Sequence, residues 1–188
     1  MNESPQSVYR LGAEDGLIMG PLMAVTVLLM GATAYIPGLF FLAIAAMIAV
    51  PSVAFLLLAR AHRARPNMST FSALWLQGIC MFFFGSLIMA VAAYAGMRWL
   101  CPTFISDQID AVVSVYGSVD NADARAIAAT LQKAAEARSL PTPIEVSLEM
   151  IYMAVFSGSL LSMVLALIVR ARRPRRDTPT PPPFNPNK

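Results

Sequence analysis

Apolar residues in this chain run on without interruption in four stretches, with no two-residue alternation to suggest strands. The first is Gly16 to Tyr35 (GLIMGPLMAVTVLLMGATAY) and the second Leu39 to Ala59 (LFFLAIAAMIAVPSVAFLLLA), with Ile36, Pro37 and Gly38 as the turn between them. The third goes from Ala73 to about Met97 and the fourth from Met150 to Val169, and none of the four contains a charged side chain. A helix rises about 1.5 Å per residue, so roughly 20 apolar residues reach across a hydrocarbon core. Each stretch therefore predicts a membrane helix, because lipid offers no water to an open backbone and the other solution, a closed barrel, needs short alternating strands. Ala32, Thr33 and Ala34 resemble a signal-peptidase site. However, the preceding segment carries Glu3, Glu14 and Asp15 beside a single Arg10, and the apolar run is longer than a signal core, so it reads as a retained helix.

Between the third and fourth stretches, Cys101 to Pro143 turns polar. SDQIDAVVSVYG places Ile109, Val112, Val113 and Tyr116 at helical spacing, with Ser106 as the expected N-cap and Gly117 as the stop. DNADARAIAATLQKAAEARS follows, with Asp120 as the expected cap and Ile127, Leu131 and alanines on one face. The pair forms a helical hairpin with narrow apolar stripes, resting on the membrane, on the helix ends or on a partner. Thr142 to Glu145 reads as a capping box with proline at the first helical position, which starts the fourth helix before the membrane.

The fold class expected is all-α: an integral membrane four-helix bundle with an extracytoplasmic helical hairpin between helices three and four. Its segments are 1–15 (cytoplasmic), 16–101 (helices one to three), 102–141 (hairpin), 142–170 (helix four) and 171–188, a disordered basic tail in which repeated prolines preclude helix. Composition agrees, since 57% of residues are hydrophobic and only 13% charged, a balance that excludes an ordinary soluble domain.

Charge sets the expected orientation. Arg60, Arg63 and Arg65 sit in the loop between helices two and three, and Arg170, Arg172, Arg173, Arg175 and Arg176 follow helix four at once. With the N-terminal segment, that face holds ten Lys/Arg against four Asp/Glu, whereas the opposite face holds four against seven. Basic residues in short flanking loops stay in the cytoplasm, so these arginines are topology anchors and both termini are placed inside. Membrane lipids are the natural company of such a patch. Nothing indicates nucleic-acid binding, which would need aromatic interleaving or a recognisable module.

The sequence holds little that resembles chemistry. His62, the sole histidine, has no carboxylate near it in sequence, and no Ser/His/Asp set, metal-ligand spacing or phosphate loop is present. Cys80 and Cys101 are too far apart along one helix, about 31 Å, to bridge. Met19 and Met23 lie at i, i+4, but no Met- or His-rich outer segment accompanies them as a copper site would require. Glu145 and Glu149 share a helix face near an N-terminus, where capping explains them. Arg98 is placed to form an interfacial ion pair with Glu149. No cofactor, metal or catalytic residue is expected, and the chain reads as a non-enzyme.

The more specific signals concern packing. Gly12, Gly16 and Gly20 repeat every four residues in helix one, and Ala154, Gly158, Ser162 and Ala166 do so in helix four. Small residues at that spacing let helix backbones approach closely, within a chain, with a protein partner or in a homo-oligomer. A transporter would instead show an ionisable residue or broken helix at mid-membrane, where this chain offers Thr26, Ser52, Ser86, Ser159 and Cys80, with Pro21 and Pro51 as kink sites.

In its order of features the chain resembles a family of small four-helix inner-membrane proteins common in Bacteroidota and known only as a domain of unknown function. The resemblance rests on GAEDGLIMG entering helix one, an Arg-bearing loop followed by STFSALWLQG, LCPTF after helix three, a helical insert, and LALIVRARR at the exit. It spans about residues 8 to 173 and implies the architecture and a bacterial inner-membrane address, with no activity and no site residues. The function expected is that of an accessory or scaffold protein that binds partner proteins. The alternative is a small transporter or channel subunit assembled by oligomerisation.

Overall fold

The computed structural model describes residues 7–64, 70–119, 121–137 and 140–171. It is all helical: α1 (Val8–Ala32), a 3-10 turn (Pro37–Leu39), α2 (Phe40–Ala64), α3 (Phe71–Ala95) continued by a π-helical turn (Gly96–Leu100), α4 (Phe104–Ser118), α5 (Ala122–Glu136) and α6 (Pro143–Ala171). Four of these elements are long and apolar enough to cross a membrane: α1, the 3-10 turn with α2, α3 with its π turn, and α6.

The helices outrun the apolar stretches at their ends. α1 starts at Val8 within the segment 1–15, because Ser7 accepts the Arg10 amide at 3.4 Å as N-cap and Arg10 pairs with Glu14 one turn on at 2.9 Å. Thr70 caps α3 through the Ala73 amide. The capping box of α6 is present: the Thr142 amide donates to Glu145 Oε2 at 2.7 Å and the Glu145 amide to Thr142 Oγ1 at 3.4 Å. Pro21 and Pro51 lie inside continuous helices.

In the hairpin the local signals shift. α4 begins at Phe104 and not behind Ser106, whose hydroxyl instead donates to the Thr103 carbonyl at 2.8 Å. It also runs through Gly117 to Ser118, since Gly117 does not take the left-handed conformation by which a glycine ends a helix. Asn121 caps α5, accepting the Asp123 amide at 2.9 Å; the expected cap Asp120 lies outside the described residues.

α3 is the spine of the molecule and carries more buried residues than any other helix. Its register with α1 runs Gly12 to Cys80, Gly16 to Phe84 and Gly20 to Ile88, so the two are parallel. With α6 the register runs Gly78 to Ser162 and Phe82 to Gly158, so these two are antiparallel. α2 returns antiparallel to α1 through the tight turn and also packs on α6, diagonally across from α3. One end of the helices therefore collects the start of α1, the ends of α2 and α6, and the start of α3. The other end carries the α1–α2 turn and the hairpin.

The core is lean and the exterior greasy. Met19, Ala54, Leu58, Met81 and Ala166 are buried, while Phe40, Phe41, Leu42, Met47, Ile48 and Leu56 of α2 and Tyr152, Phe156, Leu160 and Leu167 of α6 are exposed. A water-soluble domain does not leave so continuous an apolar surface uncovered. A hydrocarbon environment removes the cost, and what then holds the helices together is close packing at small residues.

Candidate functional site

Both small-residue stripes face α3. A Cβ at Gly16 would stand 2.7 Å from Phe84 Cβ and 3.0 Å from the Met81 carbonyl, and one at Gly20 would stand 2.8 Å from Ile88 Cβ. A Cβ at Gly12 would collide with that of Cys80. α3 answers with its own glycine: a Cβ at Gly85 would lie 3.5 Å from the Gly20 nitrogen and 3.6 Å from the Gly16 carbonyl, so here backbone approaches backbone. Across α3, Gly158 receives the Phe82 ring, Gly78 receives Ser162, and Ala166 is buried, with Ala154 half-buried above them. The Trp75 indole donates to the Ser159 carbonyl at 3.2 Å and ties this seam further. Within this chain the stripes are occupied by α3. Gly78 and Gly85, seven residues apart on α3, were the readable sign of this arrangement and are not among the sequence-derived packing residues.

A second feature is polar. Gln77 of α3 is buried, and its Nε2 donates to Asp15 Oδ2 of α1 at 2.7 Å. The Arg60 guanidinium of α2 is near enough to act on the Asp15 carboxylate electrostatically. The α1–α3 pair thus forms one polar point, beside the first glycines of the α1 stripe. Sequence reasoning placed Asp15 at the mouth of helix one and overlooked Gln77. The signal lay in depth: Asp15 is seven residues into α1 and Gln77 six into α3, so parallel helices starting level bring them together. A buried amide paired to a carboxylate pins the register of α1 against α3. Ser162 is also buried, its hydroxyl without a partner in the seam against Gly78.

The expected anchors Arg60, Arg63 and Arg170 lie exposed at the end where α1 and α3 begin; Arg65, Arg172, Arg173, Arg175 and Arg176 lie outside the described residues. Arg98 and Glu149 are both exposed, with no ion pair formed between them. Arg98 sits in the π turn, where the wider winding displaces side chains from the register a regular helix would give. Among the described residues no three His, Cys, Asp or Glu side chains come together as metal ligands would. His62 is half-buried in the last turn of α2, its Nδ1 without a hydrogen-bond partner.

At the far end α4 and α5 pack on each other. Their mutual contact covers Ala124 and Ala128, but no residue of α4 is buried, and Val112, Val115, Tyr116, Val119 and Ile127 stay exposed. One polar hook ties α4 to the α1–α2 turn: Asp107 Oδ2 accepts the Tyr35 hydroxyl at 3.2 Å and the Thr103 hydroxyl at 2.9 Å.

Four membrane-length helices with an apolar exterior, joined at small-residue seams, define an all-helical membrane protein. Within that class the chain belongs to the family described as Protein of unknown function (DUF4199), whose profile matches residues 14–171. No curated protein and no solved structure matches it.

Proposed function

We propose that the protein is a non-enzymatic scaffold of the bacterial inner membrane, a four-helix bundle that presents the α4–α5 hairpin on the extracytoplasmic side to a partner protein. The observation that carries this reading is the hairpin itself. A connection between two membrane helices needs only a few residues, whereas this one builds two amphipathic helices that leave Val115, Tyr116, Val119 and Ile127 exposed. Replacing residues 104–140 with a Gly/Ser linker is expected to leave the thermal transition of the long helices in place and to abolish co-purification of the partner from the native membrane. Retention of the same partners by the shortened chain refutes the scaffold reading.

The transporter alternative finds its support in the Asp15–Gln77 pair, the type of buried polar contact that marks ion paths. The pair lies only about 10 Å from the start of α1, however, well short of the midplane where coupling sites sit. Loss of a solute flux, and not of a partner, on hairpin removal would turn the reading toward transport.

Orientation follows from charge. Arg60, Arg63 and Arg170 gather at one end and the hairpin lies at the other, and the bias of Lys/Arg toward cytoplasmic loops supports a cytoplasmic arginine end. With Cys80 and Cys101 replaced by alanine, Ala64→Cys is expected to react with a membrane-impermeant maleimide only after the membrane is opened, and Ser118→Cys in intact spheroplasts. Labelling of both from the same side contradicts the proposed topology.

A further inference from the structure

The hairpin end of the molecule contains a cavity of about 430 Å3, within the range of sites that hold a small ligand. Its walls come from the last turns of α1 (Leu28, Met30, Gly31), the π turn (Met97, Leu100) and Phe104 at the start of α4. Polar atoms are confined to a few positions such as Thr33 and Gln108. Leu28, Met30 and Leu100 of its lining are 38%, 49% and 72% exposed, so the recess is open along apolar side chains. Over the cavity lies the first turn of α4, fastened by the Asp107 hook to Tyr35. The winding is irregular here as well: the Cys101 amide reaches back to the Gly96 carbonyl at 3.0 Å, five residues away, and such π turns concentrate where a helix makes room for a ligand. Trp99 in the same turn is 75% exposed, as aromatic residues at the edge of a bilayer are.

We infer that this cavity is a binding site for one acyl chain of a membrane glycerophospholipid, entered sideways from the bilayer between Leu28, Met30 and Leu100 and covered by α4. An apolar recess that opens to hydrocarbon is filled at lower free energy by a lipid chain than by water, which would find few hydrogen-bond partners inside. The volume accommodates roughly a dozen methylene-sized groups at the volume a water occupies in the liquid, which suits a single chain and excludes a whole lipid. The headgroup then lies at the level of Trp99, beside the hairpin. Gly31 is the entry point for a test, because a Cβ there meets only Phe104 Cε2 at 3.8 Å, and a larger side chain grows into the cavity without displacing backbone.

The full chain is placed in nanodiscs of phosphatidylethanolamine and phosphatidylglycerol doped with a phosphatidylcholine carrying a mid-chain diazirine, irradiated, and mapped by peptide mass spectrometry. Adducts at Met97, which lines the cavity and is otherwise buried, are expected to exceed those at Phe41 and Met47, on the open exterior of α2, by about tenfold. Gly31→Leu is expected to lower the cavity adducts by a similar factor, about tenfold, and to leave those on α2 unchanged. In the unmodified chain, excess oleate is expected to compete for the cavity adducts alone, a readout that does not depend on any variant folding. Equal labelling of cavity and exterior overturns the proposal. So does cavity labelling that neither oleate nor a folded Gly31→Leu variant reduces, as does displacement of the probe by detergent at the same concentration as oleate.

Discussion

Gly16→Leu is expected to lower the thermal midpoint of the purified protein in mild detergent, at a cost of about 1 to 3 kcal/mol, the range for side chains forced into a filled site. The geometry leaves little room to escape. The added carbon meets Phe84 Cβ and the Met81 carbonyl, both part of or next to the backbone of α3, so relief requires moving a whole helix. Gly158→Leu is expected to cost a similar amount, because Phe82 Cβ lies 2.6 Å from the added carbon and cannot turn aside as the ring beyond it can. Gly38→Ala and Gly117→Ala serve as controls, since neither position has an atom within 4 Å of the added carbon. Thermal midpoints unchanged in both leucine variants would mean that the glycine stripes face lipid and that the α1–α3 seam is wrongly placed.

The Asp15–Gln77 bond should give the second large effect. Gln77→Leu removes the donor and leaves a half-buried carboxylate without its amide partner, which costs about 1.5 to 3 kcal/mol for a hydrogen bond to a charged group. Asp15→Leu leaves the amide of Gln77 buried and unsatisfied, at about 1 to 3 kcal/mol. The double variant is expected to be closer to wild type than the sum of the two, because an apolar pair of similar shape has nothing left to satisfy. Additive losses in the four-member cycle would show that the two side chains do not depend on each other. In that case register is held by the glycines alone.

Much of the architecture was legible because membrane helices announce themselves by length, and length needs no partner to be read. The four apolar runs map onto α1, α2, α3 and α6 for that reason. Their ends were not legible from hydropathy: α1 includes Arg10, Glu14 and Asp15, because a helix is bounded by capping and the apolar run only by the oil it matches. The glycine stripes on α1 and α6 could be seen, but not that both face α3, since one helix in isolation gives a face and no neighbour. Gln77 escaped for the same reason. Its meaning depends on Asp15, sixty-two residues earlier, and only the parallel register of α1 and α3 joins them. Ser106 lost the cap of α4 to a start three residues earlier, a shift of the size that local signals rarely resolve.

The placement of α3 also bears on how the molecule comes into being. Synthesis delivers α1 and α2 first, joined by a tight turn, yet the glycine face of α1 belongs to a helix that has not yet been made. Until α3 follows, that groove of bare backbone has only lipid to touch, and the polar point at Asp15 waits for its amide. The largest seam therefore closes late and between distant parts of the chain, the kind of pairing that slows assembly and lengthens the life of exposed intermediates. A ribosome stalled after Ala64 would release a pair of helices with an open slot, a shape that a second copy of α3 from another chain could fill.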